Sequence, residues 1–149
     1  MKFPHIGIVF ALLTAQPALA EVEGSSPLAA SDEAAIDQLI EPAFTQLRAG
    51  QSMQALNAFF STSQLMSGKT AELNAIASQI NGAIAAYGEI GQCELVERQN
   101  HGSYVQARLY ICQQANLATR WQFAMVKTSG GWIGANLNFD DRVLKALGE

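Results

Sequence analysis

Few residues in this 149-residue chain combine type and spacing in a way that could do chemistry. Cys93 and Cys112 are its two cysteines. In an oxidising compartment an even pair favours a disulfide, and without a C-x-x-C spacing a redox-active role has no motif. The alternative is two free thiols. Of the two histidines, His5 and His101, the second stands in a turn-like stretch. A solvated turn residue is the plain reading there, a catalytic base the sharper one. A histidine-rich metal site is excluded by count. Gly68-Lys69-Thr70 looks like the end of a phosphate-binding loop, but that motif needs glycine where Ser63 stands, so Thr70 reads as a helix N-cap. Asp140 and Asp141 are adjacent, and on a strand they would point to opposite faces and share no substrate. Proton transfer would need a pocketed carboxylate beside a donor such as tyrosine. Tyr87, Tyr104 and Tyr110 are available, yet no acid stands out on the expected apolar sheet face. No catalytic residue, metal site or cofactor site is assigned from these residues.

Whatever chemistry exists must be positioned by an exported domain. Lys2 is a basic start, Ile6 to Leu13 an apolar core, and Ala18-Leu19-Ala20 a small-residue cleavage site. That pattern is a signal peptide over residues 1–20, cut between Ala20 and Glu21. Its apolar run is well short of the roughly 20 residues a membrane span requires. The remaining chain is expected to be periplasmic or extracellular, with no membrane attachment after cleavage. Residues 21–30, with Gly24, Ser25, Ser26 and Pro27, read as a flexible lead-in. Residues 31–149 read as a single domain. With 49% hydrophobic and 15% charged residues, the chain can build a core. The net charge of −4, with no basic cluster, argues against nucleic acid as a partner.

Three helices come first. Ser31 caps one, with Asp32 and Glu33 in its first turn. Its apolar stripe runs through Ala35, Ile36, Leu39, Ile40, Ala43, Phe44 and Leu47, and Gly50 closes it. Pro42 should kink it. A shorter helix starts at Ser52, with Met53, Leu56, Phe59 and Phe60 inward. Ser61 to Gly68 reads as a loop or a loop with a short edge strand. The third helix runs from Thr70 to Gly88, with Leu73, Ile76, Ala77, Ile80, Ala83, Ile84 and Tyr87 on one side.

Beyond Gly91 the period becomes two. Cys93–Arg98 is the first strand and Tyr104–Cys112 the second. With Gly102-Ser103 central in the turn, Cys93 lies opposite Cys112 and Glu97 opposite Arg108. Opposite Cα atoms, about 4.5–5.5 Å apart, are within disulfide range. The bridge would close eighteen intervening residues and contribute about 3 kcal/mol. In the second strand Val105, Ala107, Leu109 and Ile111 are expected to face the helices, with Gln106, Arg108 and Tyr110 turned away. Leu117–Thr128 presents Trp121, Phe123 and Met125 on one face. Gly131–Asp140 presents Ile133, Ala135, Leu137 and Phe139 on the same face, with Trp132, Asn136 and Asn138 opposite. A three-residue loop, Ser129-Gly130-Gly131, brings the two faces together. Val143, Leu144 and Leu147 form a short apolar tail, read as a final helical turn.

Helices followed by an antiparallel meander make an α+β fold with helices on one sheet face. This order, together with W-Q-F-A-M-V-K-T-S-G-G-W-I-G-A-N-L-N-F-D-D, resembles the nuclear transport factor 2-like superfamily. The closest likeness is to exported bacterial members of unassigned function, over residues 31–145. The resemblance implies a curved sheet of about four strands wrapping helices around a conical pocket. It also leaves function open, since the superfamily holds isomerases, dehydratases, cyclases and non-catalytic domains. Such a pocket would be lined by Phe44, Phe59, Ile80, Tyr87, Leu109, Trp121, Phe123 and Leu137, and would take a small apolar ligand. The same residues also read as plain core. The opposite sheet face would present Arg108, Tyr110, Arg120, Gln122, Trp132 and Asn136 to a protein partner or a second copy in a homodimer. An ordinary solvated sheet face is the alternative. The expected function is a non-enzymatic binding or interaction domain. A proton-transfer enzyme of the ketosteroid isomerase type, an isomerase or dehydratase, is the alternative.

Overall fold

The computed structural model describes residues 27–143. The expected leader, its cleavage site, most of the lead-in and the tail beyond Val143 lie outside the described residues. Within them, four helices precede a four-stranded antiparallel sheet that is not closed. Helix α1 (Ala30–Arg48) buries Ile36, Leu39, Ile40, Ala43, Phe44 and Leu47, the expected stripe at three- and four-residue spacing. It opens one residue before Ser31, where the Ala29 carbonyl accepts the amides of Asp32 and Glu33 at 2.9 and 3.0 Å. It runs through Pro42 as one helix. Helix α2 (Ser52–Phe59) turns Ala55, Leu56 and Phe59 inward.

A short helix α3 (Gln64–Ser67) replaces the expected loop or edge strand, so the helices number four rather than three. The Ser63 carbonyl closes that turn on the amides of Met66 and Ser67, and Met66 is buried. Helix α4 (Thr70–Tyr87) packs Leu73, Ala77 and Ile80 inward. Lys69 holds its N-cap position, so Thr70 is the first helical residue and not the cap. Gly88 ends the helix at φ 98°, where a side chain would also strike the Ala115 Cβ at 2.7 Å.

Strands β1 (Cys93–His101), β2 (Val105–Gln113), β3 (Ala118–Thr128) and β4 (Gly131–Asp140) lie in chain order across the sheet. Cys93 pairs with Cys112 and is disulfide-bonded to it, with Cα atoms 4.0 Å apart. The route to that pairing differs from the expected one. The β1–β2 loop is three residues long, Gly102-Ser103-Tyr104, because His101 already pairs with Val105. This shifts the ladder by one, so Glu97 pairs with Leu109 and Arg98 with Arg108, not Glu97 with Arg108. A bulge at Val96 then restores the offset before Leu95 meets Tyr110.

The last hairpin repeats the pattern in mirror order. Its loop is two residues, Ser129-Gly130, and not three, since Thr128 pairs with Gly131. A bulge at Ala135 compensates, so Trp121 still pairs with Phe139 and Phe123 with Leu137. Both bulges sit in the sheet's edge strands, where irregular pairing discourages edge-to-edge association.

Two facings are the reverse of those expected. In β2 the buried set is Gln106, Arg108, Tyr110 and Cys112, whereas Val105, Ala107, Leu109 and Ile111 face away from the helices and are half-buried. In β4 the Ala135 bulge flips everything before it, so Trp132 and Gly134 face inward and Ile133 outward. Gly134 is required by this contact: a Cβ there would lie 2.4 Å from the backbone oxygen of Phe59. Elsewhere the core is conventional. Phe44, Tyr110, Phe59 and Phe123 meet edge to face with ring centroids 4.9 to 5.8 Å apart, and Trp121 stacks on Phe139 at 4.8 Å. The Trp121 indole N–H donates to Thr119 Oγ1, which donates to Gln114, whose amide reaches the Gly88 carbonyl. This relay leaves none of these buried polar atoms unpaired.

Candidate functional site

The residues expected to line a conical pocket divide three ways. Phe44, Phe59, Ile80, Trp121, Phe123 and Leu137 are all buried and belong to one packed core. Leu109 is not among them, because β2 turns it to the outer face. Tyr87 lies apart, at a cleft of about 280 Å³ between the last turns of α4 and the end of β4. Gly82, Ala83 and Ala86 form one wall of this cleft; Thr119, Phe139, Asp140 and Asp141 form the other. Small residues on α4 leave the room, and the Tyr87 hydroxyl donates to Asp141 Oδ2 across it at 3.0 Å. That carboxylate, by its bond and its charge, holds the Tyr87 phenol above its ordinary value. Both adjacent acids border the cleft, contrary to expectation, though with different partners. Asp140 receives Arg120 Nη2 at 2.6 Å. Burial pushes the Asp140 carboxyl up, but the Arg120 bond, the Arg142 amide and the charges of both arginines outweigh it and hold it low.

The residues expected on a partner face divide as well. Arg108, Tyr110 and Trp132 point at the helices; Arg120, Gln122 and Asn136 remain on the outer side. The inward three explain themselves through α1. Arg108 is 1% exposed and donates to Gln106 Oε1 at 2.7 Å, to Glu33 Oε2 at 2.5 Å and to Asp37 Oδ1. Gln106 in turn donates to Glu33 Oε1 at 2.9 Å and to Asn100 Oδ1 at 2.8 Å. Farther along, Lys127 Nζ and the Trp132 indole N–H both donate to Asp32, at 2.8 to 3.0 Å. The bonds from Lys127 and Trp132 hold the Asp32 carboxyl below its ordinary value.

Helix α1 is therefore fastened to the sheet twice: by its apolar stripe, and by three acids in its first two turns that meet inward-pointing donors. Burial alone would lower the Arg108 guanidinium, but its bonds to Asp37 and Tyr110 raise it above its usual value. Burial likewise raises the Tyr110 phenol, against the opposing pull of Arg108. This clasp ties α1 to the sheet, and Arg108 and Gln106 are satisfied within it. Sequence reasoning missed it, although one signal was available. Cys112 shares the parity of Tyr110 and Arg108, so a buried disulfide at Cys112 carries the whole set inward.

With the polar set inside, the outer face of β2 is a row of four aliphatic residues: Val105, Ala107, Leu109 and Ile111. Ala124 and Val126 of β3 and Ile133 of β4 extend it, all half-buried. Around this patch stand Glu94, Glu97 and Gln99 on β1, and Arg120, Gln122, Asn136 and Asn138 on the other side. His101 is exposed at the end of β1. Among the described residues, no group of three or more His, Cys, Asp or Glu side chains could hold a metal ion. No helix there is long and apolar enough to cross a membrane. No protein-family model, curated protein or solved structure matches this chain. The class it shows is an α+β chain, with helices on one face of an open antiparallel sheet and one disulfide across the β1–β2 hairpin.

Proposed function

We propose that this chain is an exported, non-enzymatic interaction domain of the cone-shaped nuclear transport factor 2-like type, and that it works through the outer face of its sheet. The observation that carries the reading is the outward aliphatic row of β2. A sheet face left to water normally alternates apolar-in and polar-out. Here the strand turns its polar set inward, satisfies it with α1, and leaves Val105, Ala107, Leu109 and Ile111 outside. An apolar patch rimmed by polar residues is the usual form of a protein contact surface. The packed state of the core aromatics favours a partner over a small apolar ligand among those residues. Export is supported by the disulfide, which persists in oxidising compartments. Leu109→Lys tests the reading. Wild type should self-associate or bind a hydrophobic dye, and the variant should lose that property with an unchanged circular dichroism spectrum. Identical behaviour of the two proteins would overturn it.

A second reading, a proton-transfer enzyme, is favoured by the Tyr87–Asp141 pair in its cleft, a carboxylate beside a phenol donor. Against it, Asp141 is exposed, whereas a base of this kind works out of water. Deuterium exchange into a panel of ketones, followed by NMR, should show no acceleration by wild type over Asp141→Asn.

A further inference from the structure

The register of the sheet says which partner the outer face fits and how it would lie. Cross-strand pairing sets the outward residues in rows. One row is Glu94, Ile111 and Arg120; the next is Glu97, Leu109 and Gln122. In each, an acid on β1 and a donor on β3 stand one strand to either side of an aliphatic residue on β2. Strands are about 4.8 Å apart and packed sheets about 10 Å apart. The face thus carries two acids on one side of a single apolar line and, on the other, an amide and a guanidinium that is paired with Asp140. A surface of that kind complements itself.

We infer that the outer sheet face pairs with a second copy of this chain, about a two-fold axis running along β2. This rests on the reading of that face as the interaction surface. A two-fold along the strand keeps position along β2 and exchanges its two sides. Leu109 then meets Leu109 and Ile111 meets Ile111. Glu94 comes over Arg120 of the second copy, and Glu97 over its Gln122, across a gap that these long side chains span. Arg120 already donates to Asp140, but a guanidinium has five donors and can serve a second carboxylate. A two-fold running across the strands gives the opposite result. It lays β1 on β1, so that Glu94 comes over His101 and Glu97 over Gln99 of the second copy, and it leaves Arg120 against Val126, with no acid over a guanidinium. Charge complementarity selects the first arrangement.

Single cysteines at the two ends of the row separate these cases. The native cysteines are tied in the disulfide and do not compete for a thiol reagent. Val105→Cys and Ile111→Cys are prepared separately, treated with a short bis-maleimide, and read on denaturing gels beside sedimentation velocity across a concentration series. The inference expects a dimer in which each variant alone cross-links to itself. It also expects Glu94→Arg to weaken that dimer by about tenfold or more, since like charges then face each other. A dimer that cross-links only when the two variants are mixed overturns the axis. A monomer at every concentration overturns the second copy as partner. In that event dye binding decides the underlying reading: dye bound by wild type and lost in Leu109→Lys leaves an interaction face for another protein, and no dye bound removes the face itself.

Discussion

Replacing Cys93 by serine removes the one covalent link between β1 and the sheet interior. The partners are 19 residues apart in sequence. For a loop of that length, the entropy withdrawn from the unfolded chain corresponds to about 3 kcal/mol. In a chain of this size, each kcal/mol moves the melting temperature by roughly 4 °C, so the loss is roughly 12 °C. Serine belongs at position 93 and not at 112. Cys112 is fully buried and would leave its new hydroxyl unpaired, whereas Cys93 is partly exposed. The assay is thermal unfolding of wild type and Cys93→Ser, with and without reductant. The gap should open in oxidising buffer and nearly close in reductant. A companion variant tests the register. Val96 is the extra residue of the β1 bulge, so deleting it regularises the ladder and still leaves Cys93 opposite Cys112. Thiol titration in denaturant should find no free thiol in wild type or in the deletion. Equal melting in oxidising buffer would refute the entropic argument, and two free thiols in the deletion would refute the register.

Gly134→Ala should cost about 1–3 kcal/mol, because the added methyl meets the Phe59 carbonyl at 2.4 Å and overpacks the α2–β4 contact. Gly130→Ala, four residues earlier in an open turn, should be neutral within error on the same denaturant melts. Arg108→Met should destabilise by about 2–3 kcal/mol, chiefly by leaving the buried Gln106 carbonyl unpaired, and adding Gln106→Leu should recover part of it in a double-mutant cycle. Asp32 and Asp140 both have folded pKa values below their ordinary ones, so their contributions are complete above the unfolded carboxylate value of about 3.9. Those contributions are lost as pH falls through the folded values. Melting temperature should therefore drop on acidification, and Asp32→Asn should flatten part of that drop, with Trp132 fluorescence as the local probe.

Local signals carried the helices. The α1 stripe, the inward side of α4 and the stop at Gly88 follow from periodicity and glycine chemistry within a few residues of each other. The inner face of β3 was equally legible, because Trp121, Phe123 and Met125 alternate with Arg120, Gln122 and Ala124. The candidate surfaces were not. Arg108, Tyr110 and Trp132 looked like a partner face, and Leu109 like a pocket wall, because an aliphatic row beside a polar one normally means core beside solvent.

By itself the amino-acid sequence determined the α+β order, the apolar helix faces and the Cys93–Cys112 pairing. Each depends on residues whose spacing is read along one strand, one helix or one hairpin. Only the tertiary structure decided which side of β2 is inside. That choice depends on Glu33 and Asp37, more than seventy residues upstream, which neutralise Arg108 at the point where α1 crosses the sheet. The bulges at Val96 and Ala135 belong to the same class. Val96 has no glycine or proline to mark it, whereas Gly134 stands beside Ala135. Each bulge is required because the hairpin loops set a pairing offset that must be undone to bring the cysteines, or Trp121 and Phe139, face to face.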